Sequence, residues 1–179
     1  SKGVNNAVHV EYPRFQTLAF EPKKAKAYWN LKTDIPVIAC LGNTRYDKGI
    51  DILLNALSKV KVPFQLLVAG KSAYFDVDFI QKKIALYRDS VRLHLEYLSD
   101  EEMALAVSAA DLVVLPYRKV FDGASGPMVD GVALGKVIVG PDHGNLGYTI
   151  NKNHLGYTFH SEDEVSLAQA IEKALLEPF

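Results

Sequence analysis

Short hydrophobic runs alternate with amphipathic stretches along most of the chain. The runs are rich in valine, isoleucine and leucine, and they are bounded by glycine, proline or aspartate, which is typical of buried strands. Six runs qualify as strands: residues 36–41, 64–69, 91–96, 111–116, 136–141 and 155–160. Because helical patterns separate them, the sequence predicts an α/β fold, a doubly wound parallel sheet of about six strands with helices on both faces.

The stretches between the runs carry helix signals. Apolar residues recur at helical spacing in the first crossover, at Ile50, Leu53, Leu54 and Leu57. Two later helices are predicted to begin at capping boxes, in which a hydroxyl and a carboxylate satisfy the free amides of a first turn: Ser99 with Glu102, and Ser161 with Glu164.

Residues 1–35 do not follow this alternation. They contain "AVHVEY", which predicts one short strand, and the lysine-rich "EPKKAKAYWNLK", which predicts a short helix. We interpret residues 1–35 as a linker segment and residues 36–179 as a single domain, since 179 residues suffice for one substantial core but not for two large ones.

Composition excludes several classes of protein. Hydrophobic residues make up 49% and the net charge is −1, which disfavours a disordered chain or a globally basic nucleic-acid binder. No run approaches the roughly 18–20 apolar residues that cross a bilayer, and no signal peptide is visible. Cys40 is the only cysteine, so an internal disulfide is impossible, and its apolar surroundings predict a buried thiol rather than a nucleophile. We expect a cytoplasmic protein, or the cytoplasmic part of one.

The loop after the first strand, "GNTRYDKG", places Arg45 and Lys48 at a strand-to-helix junction. Ligands of open α/β sheets bind beyond the carboxyl ends of the strands, and the start of a helix already favours anions. Two cations there suit a diphosphate. The glycine spacing matches neither a Walker loop nor a dinucleotide fingerprint. On charge alone, two solvated loop cations are an equally good interpretation.

The loop after the fourth strand, "FDGASGPMVDG", has the features of an anion-binding helix start. Gly123 and Gly126 allow close approach of a ligand, and Pro127 suits a first helical turn. The amides of residues 124–126 are expected to point outward, between Asp122 and Asp130. Carboxylates accept hydrogen bonds from hydroxyls, so this arrangement suits a sugar or ribose beside a phosphate. The alternative makes Asp122 a helix cap and Asp130 an ordinary solvated residue.

Three stretches in this order resemble one family: "GNTRYDKGIDILLNAL", "YLSDEEMALAVSAADLVVLPY" and "DGASGPMVDGVALGKVIVGPDHG". They are similar to the carboxyl-terminal, nucleotide-sugar-binding domain of the family-4 (group 1) retaining glycosyltransferases. These enzymes have the GT-B fold, in which two Rossmann-like domains face each other across a cleft. The resemblance covers roughly residues 36–175 and implies one Rossmann-like domain.

The resemblance also implies roles for individual residues. Arg45 and Lys48 fall on the family's diphosphate-binding pair, and Asp122 and Asp130 on its two glutamates, which contact the donor sugar and the ribose. Ala124 and Ser125 stand where the family usually has a phenylalanine-glycine pair. Arg45, Lys48 and Asp122 are the implied catalytic residues. The implied donor-binding residues are Gly42, Asn43, Tyr97, Leu98, Ala124, Ser125, Gly126, Pro127, Asp130 and Gly144. His143 could face the ligand, although a single loop histidine is more often an ordinary surface residue.

We therefore expect the donor-binding domain of a retaining glycosyltransferase that transfers a sugar from a nucleotide-sugar to a glycan or lipid-linked acceptor. The resemblance implies that an amino-terminal domain, absent from this chain, binds the acceptor, so the isolated chain is expected to be inactive. We expect no metal, no other cofactor and no nucleic-acid partner, and association of the full-length protein with the inner membrane surface. The alternatives are half of a sugar-nucleotide epimerase or phosphorylase, or a non-catalytic nucleotide-binding module.

Overall fold

The computed structural model describes residues 18–177, without the side chains of residues 86–88. All six predicted strands are present, each one to three residues shorter than predicted, and the predicted short strand near "AVHVEY" lies outside the described residues. The strands are β1 (Val37–Leu41), β2 (Gln65–Ala69), β3 (Val91–His94), β4 (Leu112–Val114), β5 (Val137–Pro141) and β6 (Gly156–Phe159). The helices are α1 (Pro22–Tyr28), α2 (Ile50–Leu57), α3 (Val77–Lys83), α4 (Asp100–Ala109), α5 (Gly126–Ala133), α6 (Gly144–Lys152) and α7 (Glu164–Leu176), with 3₁₀ segments at Tyr46–Lys48 and Ala85–Ser90.

The strands form one parallel sheet in the order β3-β2-β1-β4-β5-β6. Ala39 in the middle of β1 pairs with Leu67 of β2 on one side and with Val113 of β4 on the other. This is the Rossmann order, in which the chain reverses direction across the sheet between β1 and β4. The predicted fold is confirmed, and a crevice is expected at the carboxyl ends of these two strands.

Helices cover both faces of the sheet. Side chains alternate along β1, so that Val37, Ala39 and Leu41 contribute to one hydrophobic cluster and Ile38 to the other. The first cluster includes residues of α1, α4, α5 and α6, and the second includes residues of α2, α3 and α7. The four apolar residues predicted for the first crossover helix are all buried. The sheet is thus doubly wound, as the alternating pattern predicts.

One predicted capping box is confirmed and the other is wrong. The Ser99 hydroxyl accepts from the Glu102 amide at 3.2 Å, and the Glu102 carboxylate accepts from the Ser99 amide at 2.8 Å. Helix α7, by contrast, begins after Asp163, whose carboxylate accepts from two amides of the first turn. A carboxylate next to the helix start is the better positioned cap, and Ser161 bonds instead to Asp142.

The lysine-rich part of the predicted linker forms the short helix α1, as expected, and this helix packs against the domain. Ala25 and Trp29 are buried in the same cluster as α4. Lys26 Nζ lies 3.0 Å from Asp111 Oδ2, and this carboxylate also accepts from the Val37 amide at 2.7 Å. Helix α1 is therefore attached to the first strand of the sheet.

Candidate functional site

The loops after β1 and β4 meet at the reversal point of the sheet. Gly49 has a φ of +63°, and a Cβ atom there would lie 2.0 Å from the Pro116 carbonyl oxygen, so only glycine permits this approach. The Arg118 amide donates to the Asp47 carbonyl at 3.0 Å. A Cβ atom on Gly42 would lie 4.0 Å from Pro127. These contacts place the predicted cation loop directly against the start of α5.

Arg118, which the sequence analysis did not single out, fixes this arrangement. Its buried guanidinium donates to the Tyr46 carbonyl and to the Asp51 carboxylate, both at 2.6 Å, and lies 4.1 Å from the centroid of the Tyr46 ring. Its Nε atom lies 3.7 Å from Glu162. The guanidinium therefore joins the loop after β1, helix α2 and the loop after β6. In the sequence, Arg118 is one of two adjacent cations after a strand, and nothing in that local pattern predicts that it joins three segments.

Lys48 is half-buried rather than solvated, so the interpretation of it as an ordinary loop cation is wrong. Its Nζ atom lies 3.8 Å from the centroid of the Tyr117 ring and 4.2 Å from that of Phe121. Burial, with the nearby charge of Arg45 acting in the same direction, lowers the pKa of Lys48 to about 8. The aromatic faces attract the ammonium, but they do not replace the hydrogen bonds that an anion would accept from it.

Arg45 has a different environment. Its side chain is 54% exposed, and it forms a two-pronged ion pair with Asp47, in which Nε donates to Oδ1 at 2.9 Å and Nη2 to Oδ2. This pairing raises the pKa of Arg45 and lowers that of Asp47. A diphosphate that binds the Nε and Nη2 side of the guanidinium has to replace Asp47, since both ligands then use the same fork of donors.

The first turn of α5 is capped by a buried side chain, and the space that a Cβ atom on Gly126 would occupy at the helix start is open. Ser125 is buried, and its hydroxyl accepts from the Met128 amide at 3.3 Å and lies 3.1 Å from the Tyr117 hydroxyl. Ser125 is therefore the helix cap, and the interpretation of Asp122 as that cap is wrong. A Cβ atom on Gly126 would meet no atom within 4 Å, which leaves room for a ligand at the helix start.

The two aspartates occupy contrasting environments. Asp122 is exposed, and among the described residues it has no hydrogen-bonding or ion-pair partner. Asp130 is only 4% exposed, so its interpretation as a solvated surface residue is wrong. Asp122 is free to meet a ligand, whereas Asp130 is already enclosed by the protein.

A cavity of about 330 Å³ lies between the loop after β4 and the start of α6. Phe121, Asp122 and Gly123 line one side, and His143, Gly144 and Asn145 line the other. Gly144 has a φ of +64° and open space where a side chain would lie. The volume is at the lower end of that of small-molecule sites. Its position joins Asp122 to the start of α6.

The two predicted donor-binding residues that follow β3 lie at the same edge but are not joined to this cluster. Tyr97, after β3, is 81% exposed, while the side chain of Leu98 is buried in the core and leaves only main-chain groups for a ligand. Strand β3 lies two strands from β1, or roughly 10 Å. Asn43 and Ala124, by contrast, belong to the loops after β1 and β4 that form the cluster, and both are exposed.

The thiol of Cys40 is partly buried at the end of β1. Burial raises its pKa to about 12, with Lys48 opposing the effect, so the thiol stays protonated at neutral pH and is a poor nucleophile. This agrees with the prediction from the sequence. Among residues 18–177, no group of three or more histidine, cysteine, aspartate or glutamate side chains is arranged to hold a metal ion. In the same part of the chain, no helix is long and apolar enough to cross a membrane.

Comparisons with known proteins identify the family and the fold of the chain. The family model described as "Glycosyl transferases group 1" matches residues 35–177. The chain belongs to this family. Glycogen synthase 2 of Nitrosococcus oceani is 28% identical over 152 residues, which cover 79% of this chain and 30% of that protein. The chain therefore spans about a third of the length of this relative.

Solved structures of glycosyltransferases share the fold. Sucrose-phosphate synthase from Thermosynechococcus elongatus superposes with a TM-score of 0.74 and 25% identity, over 89% of this chain and 41% of that one. Anabaena HepE in complex with UDP and glucose gives a TM-score of 0.71 at 16% identity, over 89% of this chain and 46% of that one. At that identity the second likeness supports the fold alone. In both cases the chain matches less than half of its neighbour.

Proposed function

We propose that this domain binds the nucleotide-sugar donor of a retaining glycosyltransferase. One observation supports this most strongly: the reversal point of the sheet joins Arg45 and Lys48 to a helix start whose front is open at Gly126. Two cations and free backbone amides together suit a diphosphate better than any single one of them does. Membership of the group 1 glycosyl transferases agrees with such a ligand.

In this proposal the donor lies across the carboxyl edge of the sheet. Lys48, Arg45 and the amides at residues 124–126 bind the diphosphate. Asp130 accepts hydrogen bonds from the ribose, and main-chain groups near Leu98 hold the base beside Tyr97. Asp122 and the cavity next to it, which includes Gly144, receive the sugar. Gly42, Asn43 and Pro127 shape the crevice between the two loops.

The same groups assist the reaction. When the bond between the sugar and the diphosphate breaks, negative charge grows on the departing phosphate oxygens. Lys48 and Arg45 are positioned to stabilise that charge, which is the general role of fixed cations in transfer reactions. Protein cations take the part that a metal ion has in other transferases, and the proposal includes no other cofactor.

The rest of the proposal concerns the longer protein. Its second domain binds a glycan or lipid-linked acceptor at the cytoplasmic membrane surface, and the cleft between the domains excludes water. Alignment of two reactants contributes roughly 7–11 kcal/mol in favourable cases, and one wall of a cleft cannot supply it. Residues 1–179 alone are therefore expected to bind a donor without transferring its sugar. Sustained transfer by the isolated chain to glycan or lipid acceptors would contradict this part of the proposal.

Calorimetric titration with nucleotide diphosphates tests the donor site. UDP, ADP and GDP are compared with the corresponding nucleosides on the wild-type chain, on Lys48→Met and on Lys82→Met, a control on the exposed surface of α3. Lys48→Met keeps the aliphatic packing and removes the charge. We expect one diphosphate to bind and to lose at least tenfold in affinity only in Lys48→Met, since charge-assisted hydrogen bonds contribute about 1.5–3 kcal/mol. Absence of binding by all three diphosphates would refute the proposal.

A further inference from the structure

A chain of hydrogen bonds joins the loops after β5 and β6. Asp142 Oδ1 accepts from the Ser161 amide at 3.1 Å and from the Ser161 hydroxyl at 3.0 Å. The other carboxylate oxygen lies 2.9 Å from His160 Nδ1. The Ser161 hydroxyl in turn contacts His143 Nδ1. Ser161 thus stands between a carboxylate and an imidazole.

The direction of these bonds follows from the protons available. The hydrogen bond from His160 has the largest effect on the pKa of Asp142 and lowers it. Partial burial acts in the opposite direction, but the hydrogen bonds from Ser161 lower the pKa further. The carboxylate is therefore ionised and can only accept hydrogen bonds. Ser161 has one hydroxyl hydrogen and gives it to Asp142. Toward His143 the hydroxyl can only accept, which requires a hydrogen on Nδ1 of the imidazole. In the neutral ring, Nε2 then carries a lone pair and is a hydrogen-bond acceptor.

The imidazole lies at the sugar side of the proposed site. His143 lines the 330 Å³ cavity together with Asp122 and Gly144. It is the residue before α6, yet its side chain makes no capping hydrogen bond to that helix. Within residues 18–177, the only hydrogen bond of the His143 side chain is the one from Nδ1 to Ser161. The remaining polar atom of the ring, Nε2, is therefore available to a ligand in the cavity.

We propose that His143 selects the donor sugar, with Nε2 accepting a hydrogen bond from a sugar hydroxyl while Ser161 and Asp142 hold the ring in the required tautomer. This inference rests on the proposed function and extends it to a residue that the family comparison does not assign. A hydroxyl has a hydrogen to donate and a diphosphate oxygen has none. His143 therefore contributes to binding of the nucleotide-sugar but not of the bare nucleotide diphosphate.

Two substitutions separate the nitrogens of the ring. In His143→Asn, the amide can replace Nδ1 toward Ser161 but nothing replaces Nε2. In His143→Gln, the longer amide places an acceptor oxygen near the position of Nε2. Dissociation constants are measured for UDP and ADP and for their glucose, galactose and N-acetylglucosamine conjugates, and the conjugate that binds most tightly relative to its diphosphate is used. We expect His143→Asn to lower the affinity for that conjugate about 3- to 10-fold and the affinity for the diphosphate by less than about twofold. His143→Gln should recover part of the affinity for the conjugate.

Further variants serve as control and positioning test. His154→Asn removes an exposed histidine at the far end of α6 and should change neither constant. Ser161→Ala should lower the affinity for the nucleotide-sugar conjugate but not for the diphosphate, because the tautomer of His143 is no longer fixed. If His143→Asn leaves the ratio of the two constants unchanged, or no conjugate gains from its sugar, the inference is wrong while donor binding stands. If the wild-type chain binds no diphosphate, the proposed function fails and the inference fails with it.

Discussion

The low pKa of Lys48 predicts that binding of a nucleotide diphosphate depends on pH. Burial against Tyr117 and Phe121 brings this pKa to about 8, below the ordinary lysine value of about 10.4. A diphosphate favours the protonated ammonium and raises its pKa in the complex. Affinity should therefore be full near pH 7, about half at pH 8 and about one-tenth at pH 9, because the free chain loses the binding proton over this range.

Few other groups near the site change charge over this range. The pKa of Cys40 is about 12, that of Tyr117 is raised by burial, and that of Arg45 is raised by Asp47. The terminal phosphate of a nucleotide diphosphate loses its last proton near pH 6. The effect between pH 7 and 9 is therefore expected to come mainly from Lys48.

Calorimetry of UDP binding in two buffers with different ionisation enthalpies measures this coupling. Uptake equals the protonated fraction of Lys48 in the complex minus that in the free chain. It should approach about half a proton at pH 8, and at pH 9 it approaches about 0.9 of a proton only where the phosphates raise the pKa of Lys48 well above 9. Lys48→Met is the matched control and should show weaker binding with no uptake of this kind. Equal affinity from pH 7.5 to 9 in the wild-type chain, without proton uptake, would refute the contact between Lys48 and the phosphates.

Four further predictions follow from the geometry. Gly126→Ala should raise the free energy of unfolding, measured by urea titration, by about 0.4–1 kcal/mol. The same change should lower the affinity for UDP, because the new methyl group enters the open space at the helix start. Gly49→Ala should instead lower that free energy by more than about 2 kcal/mol, since its Cβ atom overlaps the Pro116 carbonyl. Asp47→Asn should raise the affinity for UDP a few-fold, because it releases the guanidinium of Arg45. This gain should be absent from the double variant Arg45→Ala/Asp47→Asn. Asp130→Ala should lower the affinity for UDP about tenfold more than the affinity for its 2′,3′-dideoxy analogue. An equal loss of affinity for both ligands would make Asp130 a structural residue.

The fold class was predictable because the six strands and several of the helices depend on local sequence patterns. The run of residues 36–41 predicts β1, and its alternating side chains supply both hydrophobic clusters. The Ser99 capping box likewise depends on two residues three positions apart. The failure at Ser161 has the opposite cause: its hydroxyl is bonded to Asp142, 19 positions away on a neighbouring strand end. A nearer carboxylate, Asp163, then caps the helix.

The candidate site was predictable only in part, for the same reason. The type and position of Arg45 and Lys48 are visible in the sequence, but the environment of Lys48 is made by aromatic residues about 70 positions later. Arg118, likewise distant in sequence, fixes the loop through Tyr46 and Asp51. Such contacts arise from the order of the strands, which hydrophobic patterns do not encode.

The predicted site residues differ in how deeply the protein buries them. Lys48 and Asp130 are at least partly buried in the free domain, whereas Arg45 and Asp122 remain exposed. Placing an ammonium beside aromatic rings costs hydration free energy during folding, and a bound diphosphate offsets part of that cost with hydrogen bonds. Groups that are fixed in advance also lose little conformational entropy on binding. In the proposed function, the inner residues are preorganised for the diphosphate and ribose while the exposed pair can adapt, so that changes at Asp122 should alter sugar preference more than nucleotide affinity.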